Sequence, residues 1–337
     1  MTVLDLIAVA ALALAGLSVV SVALLVARRV FVARRERHRA DAEQRLLPFA
    51  LELVEGERTR MPKLSRDDQV VLAELLGRYS RVLRGDARAH IAALFRGSAA
   101  LRHELAALRA RRAWRRATAA YVLGDMAAPT AIPALLASLG DGSRDVRAAA
   151  ARSLGRLGAV EAVSPLLEAL ASRAVPRSVA AQALLELGEP ALPELRRLLG
   201  ADDARVREAA TELVGLLGDA RDADVVAARL GDPDPSVRAK ACRALARVGA
   251  ARAAAALGPA LDDPEPAVRA AAAAALGTLG AVEAVPALLE RARHDEFDVA
   301  QAAARAVADL DPDALRTAAA APDAGPYLHE AADVVAA

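Results

Sequence analysis

A motif about thirty residues long returns seven times between Trp114 and Asp311, and no other property of the chain narrows its fold so far. From Asp145 it reads Asp-Val-Arg-Ala-Ala-Ala-Ala-Arg-Ser-Leu-Gly-Arg-Leu-Gly. The same frame returns at Val206-Arg207, Val237-Arg238 and Val268-Arg269. Weaker copies stand at Arg115-Arg116, Pro176-Arg177 and Val299-Ala300, and successive anchors lie 30 or 31 residues apart. Twelve residues after the anchor comes Gly158, Gly188, Gly218, Gly249 or Gly280, with Ala127 and Asp311 in the first and last copies. A period of this length signals stacked supersecondary units, none of which buries its apolar face alone.

Each unit reads as two short helices. Val146, Ala149, Ala150, Leu154 and Leu157 share one helical face. Gly158 then ends the helix where a left-handed residue carries no steric cost. Val163, Leu166, Leu167 and Leu170 make a second apolar face. Pro235, Pro264 and Pro266 fall near first turns, where a missing amide is harmless. Asp141, Asp202, Asp232 and Asp263 lie in the turns between units and are expected to cap the helix that follows. Regular apolar spacing excludes disorder, and frequent Gly and Pro exclude a coiled coil. The fold class expected is all-α: an α-solenoid of about seven two-helix units.

These residues resemble a known family. The pattern Val-Arg-x-x-Ala-x-x-x-Leu-Gly-x-Leu-Gly, followed by Ala-Val-x-x-Leu-x-x-x-Leu, is similar to the short HEAT-like repeats of bacteria, also seen in phycobilin lyase subunits. The resemblance spans residues 111–310 and implies a scaffold, a fold that serves many tasks. Bacterial membrane-anchored proteins of this kind look like accessory subunits of membrane enzymes, a glycosyltransferase for surface polysaccharide being one candidate.

Six of the seven copies carry arginine at the second anchor position: Arg116, Arg147, Arg177, Arg207, Arg238 and Arg269. Two readings stand. The arginines form a structural ladder, each pairing with a turn aspartate, or they form a basic ladder for an anion. A position repeated in every unit usually serves the unit, which favours the structural ladder.

Before the repeats, residues 6–27 contain no charged side chain. As a helix they span about 33 Å against a hydrocarbon core of about 30 Å, so a transmembrane helix is expected. A cleaved signal peptide is the rival, but residues 1–5 lack the positive charge that it requires. Arg28, Arg29, Arg34 and Arg35 follow the span and none precedes it, which places the N-terminus outside and the array in the cytoplasm. The same arginines either bind anionic lipid headgroups or act only as a topology signal. Ala8, Ala11, Ala15 and Ser18 share one face of the span, either a docking face for another membrane helix or a generic small-residue anchor.

The boundaries expected are a short extracytoplasmic N-terminus at 1–5, the span at 6–27, and a basic juxtamembrane and helical cap region at 28–110. The array follows at 111–311 and a C-terminal cap at 312–337. Charge divides along the same lines: residues 28–116 carry a net charge of +11 and residues 117–337 a net of −9. Within 28–110, Leu46, Leu47, Ala50, Leu51 and Val54 mark an amphipathic helix. Ser65, Asp86 and Ser98 read as N-caps, and Met61-Pro62-Lys63 as a joint. Ala318 to Pro326 reads as loose, with a last helix from Tyr327.

Catalytic chemistry is not expected. The His-Glu pairs His103-Glu104 and His329-Glu330 resemble half of the di-iron set of deoxyhypusine hydroxylase, but the whole array separates them. No zinc cluster, nucleophile elbow or phosphate loop occurs, so no catalytic, cofactor or metal residue is assigned. Cys242 stands alone and reads as a small buried hydrophobe. Nucleic acid is excluded by an acidic array with only 2% aromatic residues in the chain, and no small-molecule substrate is assigned. The reading is a membrane-tethered scaffold for a protein partner, itself expected to be an integral membrane protein, with membrane lipid as a second contact. Ser164, Glu168, Glu194, Arg197, Glu290 and Arg293, on the second helices, are the expected contact positions. A metal- or lyase-type enzyme and a self-assembling structural protein are the alternatives.

Overall fold

The computed structural model describes residues 26, 28–30, 34, 36–38, 40–57, 64–83, 85–249, 252–322 and 324–336. These residues are helices and turns, with no strand among them. The expected span at 6–27 lies outside them except for Val26, as do Ala8, Ala11, Ala15, Ser18, Arg35 and the joint at Met61. Among the described residues no helix is long and apolar enough to cross a membrane.

Two compact units divide the chain. The first comprises residues up to Arg102 together with Asp125–Ala128. Its helices are α1 (residues 40–54), α2 (Arg66–Val82), α3 (Asp86–Phe95) and the start of α4 (Ala99–Ala107). The buried stripe of α1 is Leu46, Ala50, Leu53 and Val54, whereas Leu47 and Leu51 stay exposed. The apolar face is therefore rotated from the expected one by about one position. Leu72 and Leu76 of α2 and Ile91 and Phe95 of α3 are also buried. Ser65 caps α2 by accepting from the Asp68 amide, and the Ser98 hydroxyl accepts from the Leu101 amide. Asp86 is not a cap. Gly85 holds that place at φ 63°, and Asp86 is the first helical residue, where its charge favours the positive end of the helix.

The second unit holds His103–Gly124 and Pro129–Ala337. Its first helices are α5 (Ala113–Asp125), α7 (Arg144–Leu157), α9 (Arg177–Leu187), α11 (Ala204–Leu217), α13 (Pro235–Val248), α15 (Pro266–Thr278) and α17 (Phe297–Leu310). The second helices are α6 (Ile132–Ser138), α8 (Val163–Ala171), α10 (Leu192–Leu198), α12 (Ala223–Ala227), α14 (Ala253–Leu257) and α16 (Val285–His294). Most are entered through a 3-10 turn, and α12 and α14 end in one. They are shorter than their apolar periodicity implies, because residues three apart share a face in either geometry. Helix α18 (Pro312–Ala319) carries regular structure past Asp311, whose carboxylate caps it through the Ala314 amide, and α19 (Pro326–Ala336) follows.

The core is built on small residues. The alanine three positions beyond each ladder arginine, such as Ala150, Ala210, Ala241 and Ala272, is wholly buried. Consecutive first helices meet there, α7 on α9, α11 on α13, and α15 on α17. One glycine of each Leu-Gly-x-Leu-Gly motif makes this approach possible. A Cβ on Gly155 would lie 2.7 Å from the Ala183 Cα, and one on Gly215 would lie 2.6 Å from the Ala244 Cα. Local sequence rules reveal only the second glycine, the helix terminator.

That terminator takes a positive φ at Gly158, Gly188, Gly249 and Gly280 but not at Gly218, whose φ is −80°. There α11 ends in extended backbone. Asp219 and Asp222 close a reciprocal capping box, and a Cβ on Gly218 would strike the Val214 carbonyl at 2.6 Å. Space, rather than φ, requires the glycine.

Arg173 holds φ 58° in an exposed turn after α8, a conformation that costs an L-residue. Arg173→Gly is expected to raise stability by about 0.5–1 kcal/mol, read as a higher denaturation midpoint at unchanged slope. Cys242 on α13 has no exposed surface, and burial pushes its thiol up to about 12. A disulfide-type thiol reagent is expected to leave it untouched at neutral pH until the protein unfolds; prompt labelling of the native chain would mean that α13 opens locally.

Candidate partner-binding surface

The arginine ladder occupies the turns between units. Arg116 grips Asp141 with two bonds of 2.7 and 2.8 Å. Arg207 holds Asp232, Arg238 holds Asp263 and Arg269 holds Asp295 in the same bidentate way. In each case the aspartate lies 25 or 26 residues ahead, in the turn before the next unit. The same guanidinium also donates to turn carbonyls, as Arg207 does to those of Ala201 and Asp202. Such planar, charge-assisted forks fix position as well as adding energy.

Two of the six arginines depart from this. Arg147 finds serine, Ser172, where the aspartate would stand, and donates instead to the carbonyls of Ala174 and Asp141. Arg177 is 72% exposed and reaches Glu212 at 3.3 Å, not Asp202. The ladder aspartates correct a second expectation. Asp141, Asp232 and Asp263 do not cap the next helix. Each accepts the amide two residues on and so tightens the turn, while the arginine of the preceding unit takes its remaining acceptor capacity. The caps are Asp203 and Asp234, which accept from the amides of Arg205 and Ser236.

Electrostatics follow the geometry. Hydrogen bonds from Arg116 and Arg238 hold the carboxyls of Asp141 and Asp263 below the usual range, against an opposing effect of burial. For Asp232 and Asp295 burial is the largest influence and pushes upward. The bonds from Arg207 and Arg269, with a backbone amide each, outweigh it, and both carboxyls end below the usual range.

On the second helices, Ser164, Glu194 and Arg197 meet. Ser164 of α8 donates to Glu194 of α10 at 2.9 Å, and Arg197 closes on the same carboxylate at 2.6 Å and on the serine at 3.3 Å. The Arg197 guanidinium holds the Glu194 carboxyl low. The cluster sits on adjacent units, exactly one repeat apart in the case of Ser164 and Glu194, and that coincidence with the period was the available signal. Glu290 and Arg293 lie together on α16 at 3.6 Å, with His294 3.9 Å from Glu290. Glu168 joins neither group; it is exposed at the rim of an open cleft lined by Leu139, Ala169, Leu198 and Val206. Arg28, Arg29 and Arg34 are exposed.

A polar rung on α10 was not anticipated from the sequence. Arg196 donates to the buried Asp222 at 2.6 Å, tying α10 to the turn ahead of α12. His103 lies 2.6 Å from the Arg115 guanidinium, and His329 packs on the Gly325 carbonyl at 3.1 Å. Among the described residues no three His, Cys, Asp or Glu side chains are arranged to hold a metal ion.

The chain matches the family model for HEAT repeats over residues 101–185, 172–234 and 224–308. No curated protein matches it. Among solved structures it is similar to the complex of CpcE and CpcF of phycocyanin lyase from a Nostoc species, at 24% identity and a TM-score of 0.32, covering 70% of this chain and 94% of that one. Human deoxyhypusine hydroxylase in complex with glycerol is similar at 21% identity and a TM-score of 0.30, covering 88% and 96%. Importin beta is similar at 15% identity and a TM-score of 0.49, covering 83% of this chain and 44% of that one. Identities this low carry nothing about activity.

Proposed function

The chain belongs to the HEAT-repeat family, and from that premise we propose that it is a non-enzymatic, membrane-tethered scaffold that binds a protein partner. The observation that carries this reading is where the charged groups go. The ladder arginines and aspartates are largely consumed inside the turns, whereas Glu168, Arg197 and Glu290 remain exposed on a row of short helices, with Ser164 and Glu194 half-buried beside Arg197. A repeated surface of this kind offers many spaced polar contacts to an extended partner. The apolar run at 6–27 supports tethering, and the arginines after it support an N-terminus outside and an array in the cytoplasm.

Tethering confines the array near the bilayer and raises its effective concentration toward a membrane-bound partner. The partner we assign is therefore an integral membrane protein, with this chain its accessory subunit; a glycosyltransferase for surface polysaccharide is one candidate. The experiment is affinity capture of the full-length chain from detergent-solubilised membranes. Recovery of an integral membrane protein that Glu194→Lys weakens supports the reading, and retention of no protein removes it. Exchanging residues 6–27 for an unrelated anchor is expected to weaken assembly where Ala8, Ala11, Ala15 and Ser18 dock.

A further inference from the structure

Helices α7, α9 and α11 begin side by side, and a groove at their starts is lined by Arg144, Arg173, Arg177 and Arg205. Leu170, Val175 and Ala209 contribute apolar walls. A second groove shares Arg144 and Pro176 with the first and adds Arg152, so the two run on from one another. All five arginines are exposed. Among the described residues no carboxylate forms an ion pair with Arg144, Arg152, Arg173 or Arg205. Arg177 belongs here because its rung of the ladder is broken: it stands 72% exposed, where Arg207 and Arg238 are 12% and 14% exposed.

Two carboxylates line these grooves, Glu208 and Asp145. Glu212 takes Arg177 at 3.3 Å and Lys240 at 2.9 Å, with Lys240 4.0 Å from Glu208, so Arg144, Arg152, Arg173 and Arg205 stand against Glu208 and Asp145. The grooves therefore keep a local surplus of positive charge within an array that is net acidic. We propose that they form a docking site for an acidic peptide segment of a protein partner. The site lies on the first-helix side and does not depend on the membrane-tether reading.

The chemistry selects the occupant. Guanidinium forks match carboxylates in bidentate pairs, and an acidic segment supplies several carboxylates to one groove. Single-stranded nucleic acid is gripped by aromatic platforms, and the single aromatic residue lining either groove, Tyr121, already carries the Arg156 guanidinium 4.4 Å over its ring.

The test uses the full-length chain in detergent and a fluorescent Asp/Glu-rich peptide of roughly ten residues, about 33 Å when extended. The comparison ligands are its Asn/Gln counterpart, an oligothymidylate and phosphatidylserine vesicles. The acidic peptide is expected to bind and the neutral one to fail. Arg205→Glu is expected to weaken the acidic peptide by about tenfold or more. Arg243→Glu, the same charge change at an exposed site outside both grooves, is expected to leave it within about twofold. Far-UV circular dichroism checks the fold; if Arg205→Glu loses helix, Arg205→Gln decides, with about a threefold loss expected. Equal weakening by Arg205→Glu and Arg243→Glu overturns the proposal, as does equal binding of the two peptides. Binding of the oligonucleotide or the vesicles through Arg205 without the peptide overturns it too.

Discussion

Gly215→Val is expected to destabilise the array by about 3 kcal/mol or more. The reason is a backbone approach, not a side-chain fit. A Cβ at this position would lie 2.6 Å from both the Cα and the Cβ of Ala244, so α11 and α13 would have to separate. Flexible side chains rotate away from an intruding atom, but a Cα in a packed helix does not. Valine adds two further methyl groups in the same direction. Gly215→Ala is expected to cost about 1–3 kcal/mol even though alanine gains about 1 kcal/mol over glycine in helix propensity.

The control is Gly231→Ala, where a Cβ meets nothing within 4 Å, and a change of no more than about 0.5 kcal/mol is expected. Chemical denaturation followed by circular dichroism reads all three. Units of an array are coupled only through neighbouring interfaces, so loosening the contact between α11 and α13 is also expected to lower the slope of the transition. A Gly215→Val protein with wild-type midpoint and slope would mean that these helices do not approach at glycine.

How much of this was legible in the sequence depends on how far each interaction reaches. Helices repeated in seven copies were readable because each ambiguous unit is checked by the others, and Gly158, Gly249 and Gly280 needed only local geometry. Gly155 and Gly215 looked like part of the same motif, yet their role depends on Ala183 and Ala244 one unit away, which no local rule supplies. Asp141 looked like a cap because a short carboxylate before a helix usually is one. A guanidinium arriving from Arg116, 25 residues earlier, gives it different work. Leu47 and Leu51 fitted an apolar stripe by type, and only packing decided that Leu53 took their place.

The contact surface was less legible still. Ser164, Glu194 and Arg197 read from the sequence as separate contact positions, and their convergence shows only once adjacent units are laid against each other. The broken rung at Arg177 was invisible for a related reason. Asp202 stands at the right distance in sequence, so that rung looks complete until Arg177 is found on Glu212 instead.

Breaking an intact rung is the second large effect. Asp232→Ala is expected to cost about 3 kcal/mol, because it leaves the Arg207 guanidinium, 12% exposed, without its carboxylate. It also strips the Asp234 amide of its acceptor. Asp232→Asn keeps an acceptor for that amide and loses only the charge, so a smaller cost of about 1–2 kcal/mol is expected. The same rung gives the array an acid limit with a definite sign. The folded ladder carboxyls of Asp141, Asp232, Asp263 and Asp295 all lie below the ordinary aspartate value of 3.8. As pH falls through 3.8 the unfolded chain takes up protons that the folded ladder refuses, so stability declines with pH. The ladder's contribution is thus complete above that value and is lost as pH drops through the depressed folded values. Asp232→Ala removes one of these four carboxylates, so its stability is expected to fall less steeply in acid than that of the parent chain. Denaturation midpoints measured at neutral pH and again below 3.8 read the difference. Parallel acid profiles for the two proteins would mean that Asp232 carries the same proton affinity folded and unfolded, and that its negative charge stabilises the folded chain no more than the unfolded one.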